Sequence, residues 1–460
     1  MERPRKRPEI KVKSLAMTWI VIGAFFVVIT VADMISPYNM TYYQEQQLLD
    51  EARDRILKIR RDTVELDFGV GNASKTVQII QDTHAFKFGA NSIFYNRIYN
   101  DDWTYNDTLN QKYAEYFSRM FNYATLPFYM KTYNEFNPIL ASWQQTLHNI
   151  TDWVKSFNAT PKGHPIIWQK PGQIPDQIEF NTNASYREEW TLQHIENLLN
   201  NHTDIEIWDL VNEMTHIQNI LLGDTAVETW EKALARARSV RPNATFIVNE
   251  FDTIQPGDAS STSNDAGRFY DFVEEIIEDG YAPDVLGFQG HEWITGWLPL
   301  QDIIDTFDSF GEFKIPCHVT EFDTASKGYY SMDRTTRRGL ATDETQAECA
   351  ATVYTMLFSH PAIEAITWWS FYWDQAWQPE RGLYMMDKDG RILPIYDTLF
   401  DLIHVQWNSS TTITLDDQGK CGFTGFYGNY TAKIENSSTS FSIVDNRTVN
   451  ERPWTIGDVG

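Results

Sequence analysis

Acidic side chains end two apolar runs of the sequence, where their type and position could support catalysis. Glu213 closes the run IWDLVNE (207–213), and Glu321 lies near the end of HVTEFD (318–323). A carboxylate beside buried apolar residues is costly unless it is paired or used. Two facing carboxylates, in a chain with 14% aromatic residues, indicate glycoside hydrolysis. In that chemistry one acid protonates the leaving oxygen and the other attacks or activates water.

The sequence lacks the motifs of several other enzyme classes. No second histidine follows His291 in zincin spacing, and neither a G-x-S-x-G elbow nor a P-loop occurs. We therefore expect neither a metal nor a cofactor. Asp209 is interpreted as a structural carboxylate, whereas for Glu250 a direct role and a structural role both stay open. His318 is predicted to pack in the core, because on an alternating strand it points to the opposite face from the glutamate three positions later.

The elements that must position these side chains alternate regularly. From about residue 84, a short apolar run followed by a longer helical pattern repeats eight times. This alternation predicts an α/β fold with a parallel sheet closed into a (β/α)8 TIM barrel, and an open doubly wound sheet is the alternative. The predicted strands are 85–90, 123–129, 164–168, 205–213, 245–251, 285–291, 317–322 and 365–371. In a barrel the working residues sit at the carboxyl ends of the strands.

Shorter segments flank the predicted barrel domain, which covers residues 84–406. Residues 37–83 are predicted to form a leader of one amphipathic helix and short alternating strands. Residues 407–460 return to short alternating strands with Gly and Asn turns. We therefore expect a small β-rich C-terminal extension.

The N-terminus is predicted to anchor the protein in a membrane. Residues 1–13 carry six basic and two acidic side chains, and no charge occurs from Ser14 to Ala32. These nineteen residues would reach about 28 Å as a helix, nearly a hydrocarbon core. We predict a cytoplasmic basic tail (1–13), a transmembrane signal-anchor (14–36) and a lumenal or extracellular C-terminal bulk, which is a single-pass type II arrangement. A cleaved signal peptide, and hence a secreted protein, is the alternative.

The net charge and the N-glycosylation sequons limit the classes of binding partner and the cellular route that we expect. The formal net charge of −25 argues against nucleic acid, which requires a basic face, and is compatible with a neutral polysaccharide. N-x-[ST] sequons beyond the hydrophobic run favour a glycoprotein of the secretory route. They are Asn39, Asn72, Asn106, Asn149, Asn158, Asn183, Asn201, Asn243, Asn408, Asn429, Asn436 and Asn446.

Several strings together resemble one enzyme family. They are GHPIIW (163–168), IWDLVNE (207–213), GFQGH (287–291), HVTEFD (318–323) and the closing WWSFYWDQAW (368–377). Over residues 84–405 the chain is similar to glycoside hydrolase family 10, the retaining endo-β-1,4-xylanases. Residues 52–88 and the Gly-Asn-Tyr near 426–430 resemble the N-terminal leader and C-terminal β extension of plant-like members. The resemblance implies hydrolysis of xylan, a polysaccharide substrate, by a double displacement.

The resemblance also implies roles for the reacting groups. Glu213 would be the general acid/base and Glu321 the nucleophile, with the carboxyl groups about 5–5.5 Å apart, as retention requires. Asn212 would bind the sugar 2-hydroxyl. His291, supported by Asp323, would keep Glu321 ionised, and Gln289 would help to set that hydrogen-bond network.

Further residues would bind sugar by the same resemblance. Lys131 and His164 would contact the −1 sugar, and Trp168 would line the floor of the cleft. Trp369 and Trp377 would close over the −1 ring. The family spacing favours Trp369 over its neighbour as the ring that faces the cleft.

The chain departs from the family where the −2 sugar is gripped. Members usually carry a Glu-Asn pair a few residues before the lysine, and here the corresponding segment is Pro127-Phe128-Tyr129-Met130-Lys131. Of this segment only Lys131 matches. Xylan is therefore the first expectation, and another β-linked glycan is an alternative. A non-catalytic, membrane-anchored glycan-binding protein is the second functional class.

Overall fold

The computed structural model describes residues 42–216, 221–254, 265–291, 300–330, 339–376 and 378–459. The predicted basic tail and signal-anchor lie outside these ranges. Within them, no helix is both long and apolar enough to cross a membrane.

The chain is built around a closed ring of parallel strands. The ring strands are β3 (Lys87–Asn91), β4 (Tyr123–Pro127), β5 (Thr160–His164), β7 (Ile207–Asn212), β8 (Thr245–Glu250), β9 (Val285–His291), β10 (Cys317–Asp323) and β13 (Ile363–Trp368). Each pairs in parallel with its neighbours, and the pairing of Lys162 with Ile207 and of Gly163 with Trp208 closes the ring between β5 and β7. A short strand, β6 (Ile167–Trp168), extends β5 along β7. The predicted (β/α)8 barrel is confirmed.

Helices alternate with these strands and cover the ring. They are α2 (Asp107–Met120), α3 (Leu140–Ser156), α4 (Asp176–Glu179), α5 (Ala184–Asn201), α6 (Ala226–Val240), α7 (Asp265–Glu278), α8 (Leu300–Gly311), α9 (Asp343–Ser359) and α10 (Pro394–Asp401), after a leader helix α1 (Tyr42–Ile59). Side chains cap several N-termini: Asn106 accepts from the Leu109 amide and Thr225 from the Glu228 amide. Two-residue strands β11 (Tyr329–Tyr330) and β12 (Gly339–Leu340) form a separate ladder.

The third strand of the barrel begins earlier than the sequence predicts. The pattern places it at 164–168, whereas β5 starts at Thr160. Pro161 and Gly163 give this segment the composition of a turn. The Trp208 ring packs directly against Gly163, where a Cβ atom would lie 2.1 Å from it. The glycine therefore permits close packing in the wall of the barrel.

Side chains from five ring strands fill one layer inside the barrel: Tyr123, Ile207, Ile247, Val285 and Ala365. His318 is buried, and its ring packs edge-on against Tyr123 with 6.1 Å between centroids. The predicted core position of His318 is confirmed, but its predicted orientation away from Glu321 is wrong. The β9–β10 register shifts between Val319 and Glu321, which breaks the alternation of side chains on β10.

The leader and the C-terminal extension form one β unit rather than two separate appendages. Strand β1 (Arg61–Asp67) pairs antiparallel with β15 (Lys420–Phe426). Strand β2 (Thr76–His84) lies between β14 (Thr411–Thr414) and β16 (Gly428–Ile434), and β17 (Ser437–Ile443) forms the edge. Buried apolar residues from both ends of the chain, Val77, Ile79, Phe423, Tyr430 and Ile443 among them, share one core.

Arg60 fastens this unit to the barrel. It lies between α1 and β1, and its guanidinium donates to the carbonyls of Phe358, His360 and Ile363 at 2.7–2.9 Å. Burial and, to a smaller extent, the positive charge of the neighbouring Arg452 together lower the pKa of Arg60 to about 9. The three bonded carbonyls run from the last turn of α9 to the first residue of β13, so α1 is fixed at the amino end of the barrel strands.

Candidate active site

Glu213 stands immediately after β7, at the carboxyl end of the barrel. Its backbone is left-handed, with φ of 60°, which is uncommon for a residue with a side chain. The Glu213 amide donates to the Asn249 carbonyl at 2.7 Å, so pairing with β8 continues through this conformation. Strained backbone at a polar residue in a cleft is a feature of functional sites.

Three neutral donors hold the Glu213 carboxylate. The indole Nε1 of Trp168 donates to Oε2 at 2.8 Å, and the side-chain amides of Asn212 and Gln289 donate to Oε1 at 3.2 Å each. Burial raises the pKa of Glu213, and the donors from Trp168 and Gln289 oppose that shift without cancelling it. The carboxyl group is therefore disposed to carry a proton.

Glu321 has different surroundings. His291 Nε2 lies 3.2 Å from its Oε2, and the Asn249 side-chain amide donates to its Oε1 at 3.1 Å. His164 Nε2 lies 3.8 Å from Oε1. Glu321 pairs with Gln289 on the adjacent strand β9, and the same glutamine bonds to Glu213. Gln289 is thus paired with Glu321 through the backbone and bonded to Glu213 through its side chain.

His291 is held as a cation. Burial opposes its charge, but Asp323, whose Oδ2 lies 3.0 Å from Nδ1, and Glu321 outweigh burial and raise the pKa of His291 to about 10. Asp323 is fully buried. A positive imidazolium therefore lies within hydrogen-bond distance of the Glu321 carboxylate.

Asp209 is confirmed as a structural carboxylate below the site. It is fully buried, and its Oδ2 contacts both Lys162 Nζ and His164 Nδ1 at 2.7 Å. Burial alone would raise the pKa of Asp209, but Lys162 and His164 keep it below its ordinary value. The contact fixes the His164 ring, so that its Nε2 is directed to the cleft.

Aromatic rings form one wall of a cleft of about 620 Å³ around both glutamates. Trp369 lies edge-on to His164 and His291, with centroids 5.2 and 6.2 Å apart. Trp368 is fully buried and donates to the Ser370 carbonyl. The predicted choice of Trp369 as the ring that faces the cleft thus agrees with the structure.

Most of the residues singled out in the sequence meet in this cleft. Asn212, Glu213, Gln289, His291, Glu321, His164, Trp168 and Trp369 line it, and Asp323 lies behind His291. Lys131 does not join them. Its Nζ forms an exposed ion pair with Asp176 Oδ1 at 2.5 Å, because the chain turns after β4. Trp377 lies outside the described residues.

The structure adds cleft residues that the sequence reading missed. Tyr129, Lys170, His216, Phe251 and Gln375 also line it. His216 Nδ1 lies 2.7 Å from Glu250 Oε1, and its ring stacks on Phe251 with centroids 3.9 Å apart. Glu250 also accepts from the Thr215 amide, so it positions the turn that follows Glu213. Except for Gln375, each of these side chains lies within four residues of a strand end. Many polar and aromatic residues share that position, so it did not single them out in the sequence.

The family model for glycosyl hydrolase family 10 matches residues 90–402. The chain belongs to this family. The match spans the barrel from β3 to α10 and includes both glutamates. Family 10 membership agrees with the resemblance found in the sequence motifs.

The relatives of this family 10 chain are distant. An anti-sigma-I factor of Acetivibrio thermocellus is 24% identical over 402 residues, which are 84% of this chain and 46% of that protein. Endo-1,4-beta-xylanase B of Thermotoga neapolitana is 25% identical over 302 residues, 61% of this chain and 78% of that protein. The crystal structure of xylanase 10B from Thermotoga petrophila in complex with xylobiose has a TM-score of 0.56 at 21% identity and covers 70% of this chain and 95% of the other. The chain thus spans about half the length of the first relative.

Proposed function

We propose that this protein is a retaining endo-β-1,4-xylanase that hydrolyses internal bonds of xylan. The observation that carries the proposal is the contrast between two carboxylates in one cleft. Neutral donors surround Glu213, and burial raises its pKa. A histidine held positive contacts Glu321. A double displacement requires one carboxyl group that is protonated and one that is ionised, and different surroundings can provide this difference.

Each glutamate takes one role in each step. Glu321 attacks the anomeric carbon and forms a glycosyl-enzyme ester, while Glu213 donates its proton to the departing glycosidic oxygen. Glu213, now a carboxylate, then removes a proton from water, which attacks the anomeric carbon and releases Glu321. The configuration at that carbon is inverted twice and is therefore retained.

The neighbouring side chains position these groups. Asn212 and Gln289 each donate to Glu213 Oε1, which orients its carboxyl group. Asn212 binds the sugar 2-hydroxyl as positive charge develops at the anomeric carbon. His291 and Asp323 keep Glu321 ionised. His164 binds the −1 sugar, and Trp168 and Trp369, with Trp377, provide apolar faces on which sugar C–H groups pack.

Xylan is proposed because relatives across the family match carry the name endo-1,4-beta-xylanase. Another β-linked glycan is the second candidate, and the observation that favours it lies at β4. Phe128 is fully buried against Trp208 and His202, so it contributes no polar group where family members grip the −2 sugar.

The experiment is release of reducing sugar from xylan, mixed-linkage glucan and mannan by the purified protein, with Glu321→Gln as the inactive control. The proposal predicts the highest rate on xylan and none in the control. A higher rate on glucan or mannan would keep the mechanism and change the substrate. Binding of xylo-oligosaccharide without hydrolysis of any polymer would favour a glycan-binding protein instead.

We further propose the type II topology, with residues 84–406 as the catalytic barrel between a leader (37–83) and a β-rich extension (407–460). The support is the uncharged run from Ser14 to Ala32 behind a basic tail. Full-length protein should remain in membranes after carbonate washing and lose mass on treatment with an N-glycosidase. A soluble product that starts near Asn39 would show a cleaved signal and a secreted enzyme.

A further inference from the structure

Tyr129 lines the cleft that holds the two glutamates. It follows the end of β4 by two residues. Its ring meets the His164 ring edge-on, with centroids 5.7 Å apart, and the Trp168 ring at 5.8 Å. His164 binds the −1 sugar in the proposed function, so Tyr129 borders the same site.

The Tyr129 hydroxyl is available for a ligand. Among the described residues it has no hydrogen-bond partner, and the charges acting on it come from Glu321, Glu213 and Asp209. Burial and then these carboxylates raise the pKa of Tyr129. The phenol therefore stays neutral over the working pH range and keeps its proton to donate.

The donor that the family resemblance assigns to this place is turned away. Lys131, two residues further on, is exposed and paired with Asp176. Tyr129 is thus the side chain from the end of β4 that reaches the cleft with a free donor. A neutral hydroxyl also suits a sugar, because it can donate one hydrogen bond and accept others.

We propose that the Tyr129 hydroxyl donates a hydrogen bond to one ring hydroxyl of the −1 sugar and takes the place of the lysine used by other family members. This assignment rests on the proposed function, since it presumes a sugar between Glu213 and Glu321. Tyr129 is then a substrate-binding and specificity-determining residue of this chain.

The test compares Tyr129→Phe with Tyr123→Phe. Tyr123 starts the same strand, and its buried hydroxyl also lacks a protein partner, but it lies inside the barrel below the cleft. Both substitutions remove one oxygen and keep the ring. Wild-type activity on xylan, measured first, tests the proposed function separately.

In an active enzyme, Tyr129→Phe should lower kcat/KM on an aryl β-xyloside by about 5- to 100-fold, since a sugar hydroxyl loses its partner. Tyr123→Phe should stay within about twofold of wild type. Monodeoxy versions of the substrate identify the contact: the penalty of Tyr129→Phe should vanish on the one that lacks the bonded hydroxyl. An undiminished penalty on every deoxy substrate, or equal rates for both variants, would overturn the proposal.

Discussion

The indole nitrogen of Trp168 donates a hydrogen bond to Oε2 of Glu213 at 2.8 Å. Trp168 ends the short strand β6, which pairs with β7 so that Trp168 is opposite Asn212. The pairing of β6 with β7 therefore places the Trp168 ring where it can stack on a sugar and also affect the pKa of Glu213. A donor to the charged form favours ionisation, whereas burial of Glu213 favours the protonated form, and burial prevails.

Trp168→Phe should move the alkaline limb of the pH profile of kcat/KM to higher pH. Loss of the donor leaves the Glu213 carboxylate less stabilised. The pKa of Glu213 therefore rises, and its protonated form persists to higher pH. The lost bond and smaller ring should lower the rate by about tenfold. Trp190→Phe is the matched control, because its indole donates to Glu135 away from the cleft. If the alkaline limb of the pH profile does not shift in Trp168→Phe, Trp168 does not affect the ionisation of Glu213.

Glu213→Ala should lower cleavage of xylan by about 10²–10⁴-fold, which is typical for loss of general acid catalysis. The first step on an aryl glycoside with a good leaving group should be spared, since that group needs no proton. Azide should then restore turnover and yield a β-glycosyl azide. Glu188→Ala, which removes a half-buried partner of Lys232 away from the cleft, should leave all rates unchanged. Unreduced xylan cleavage by Glu213→Ala would refute the assignment.

Asp323→Asn should destabilise the protein by about 3 kcal/mol or more at pH 6, because it breaks a buried ion pair. In the wild type the pKa of His291 is raised to about 10, above its value of about 6.5 in the unfolded chain. The stabilisation is therefore complete below about pH 6.5 and is lost as the pH rises through about 10. Denaturant unfolding at several pH values measures the difference between the two proteins. A difference independent of pH from 6 to 10 would contradict a charged His291.

The sequence predicted the barrel because its eight strands and their helices each carry a local pattern. It missed the start of β5 at Thr160, because Pro161 and Gly163 resemble a turn and the packing of the Trp208 ring on Gly163 cannot be read from the sequence. The face of His318 was missed because the register shift on β10 depends on pairing between strands. Long-range pairing of this kind leaves no periodic signal in either strand alone.

Motifs located most of the site, since Glu213, His291 and Glu321 lie at strand ends that the barrel brings together. They could not show that Lys131 turns outward to Asp176, because that contact depends on the path of the chain after β4. The same turn leaves Tyr129 in the cleft. The left-handed backbone of Glu213 was equally hidden, since it occurs together with a bond from its amide to Asn249 on the next strand, which no local pattern shows.

The nucleophile offers the most direct test of the central claim. A 2-fluoro-β-xylobioside with a good leaving group should trap a covalent adduct, because the fluorine removes the 2-hydroxyl contact to Asn212 and slows both steps. Mass spectrometry of the digest should find the label on the peptide that contains Glu321. A label on Glu250 would place the nucleophile on β8 and contradict the account.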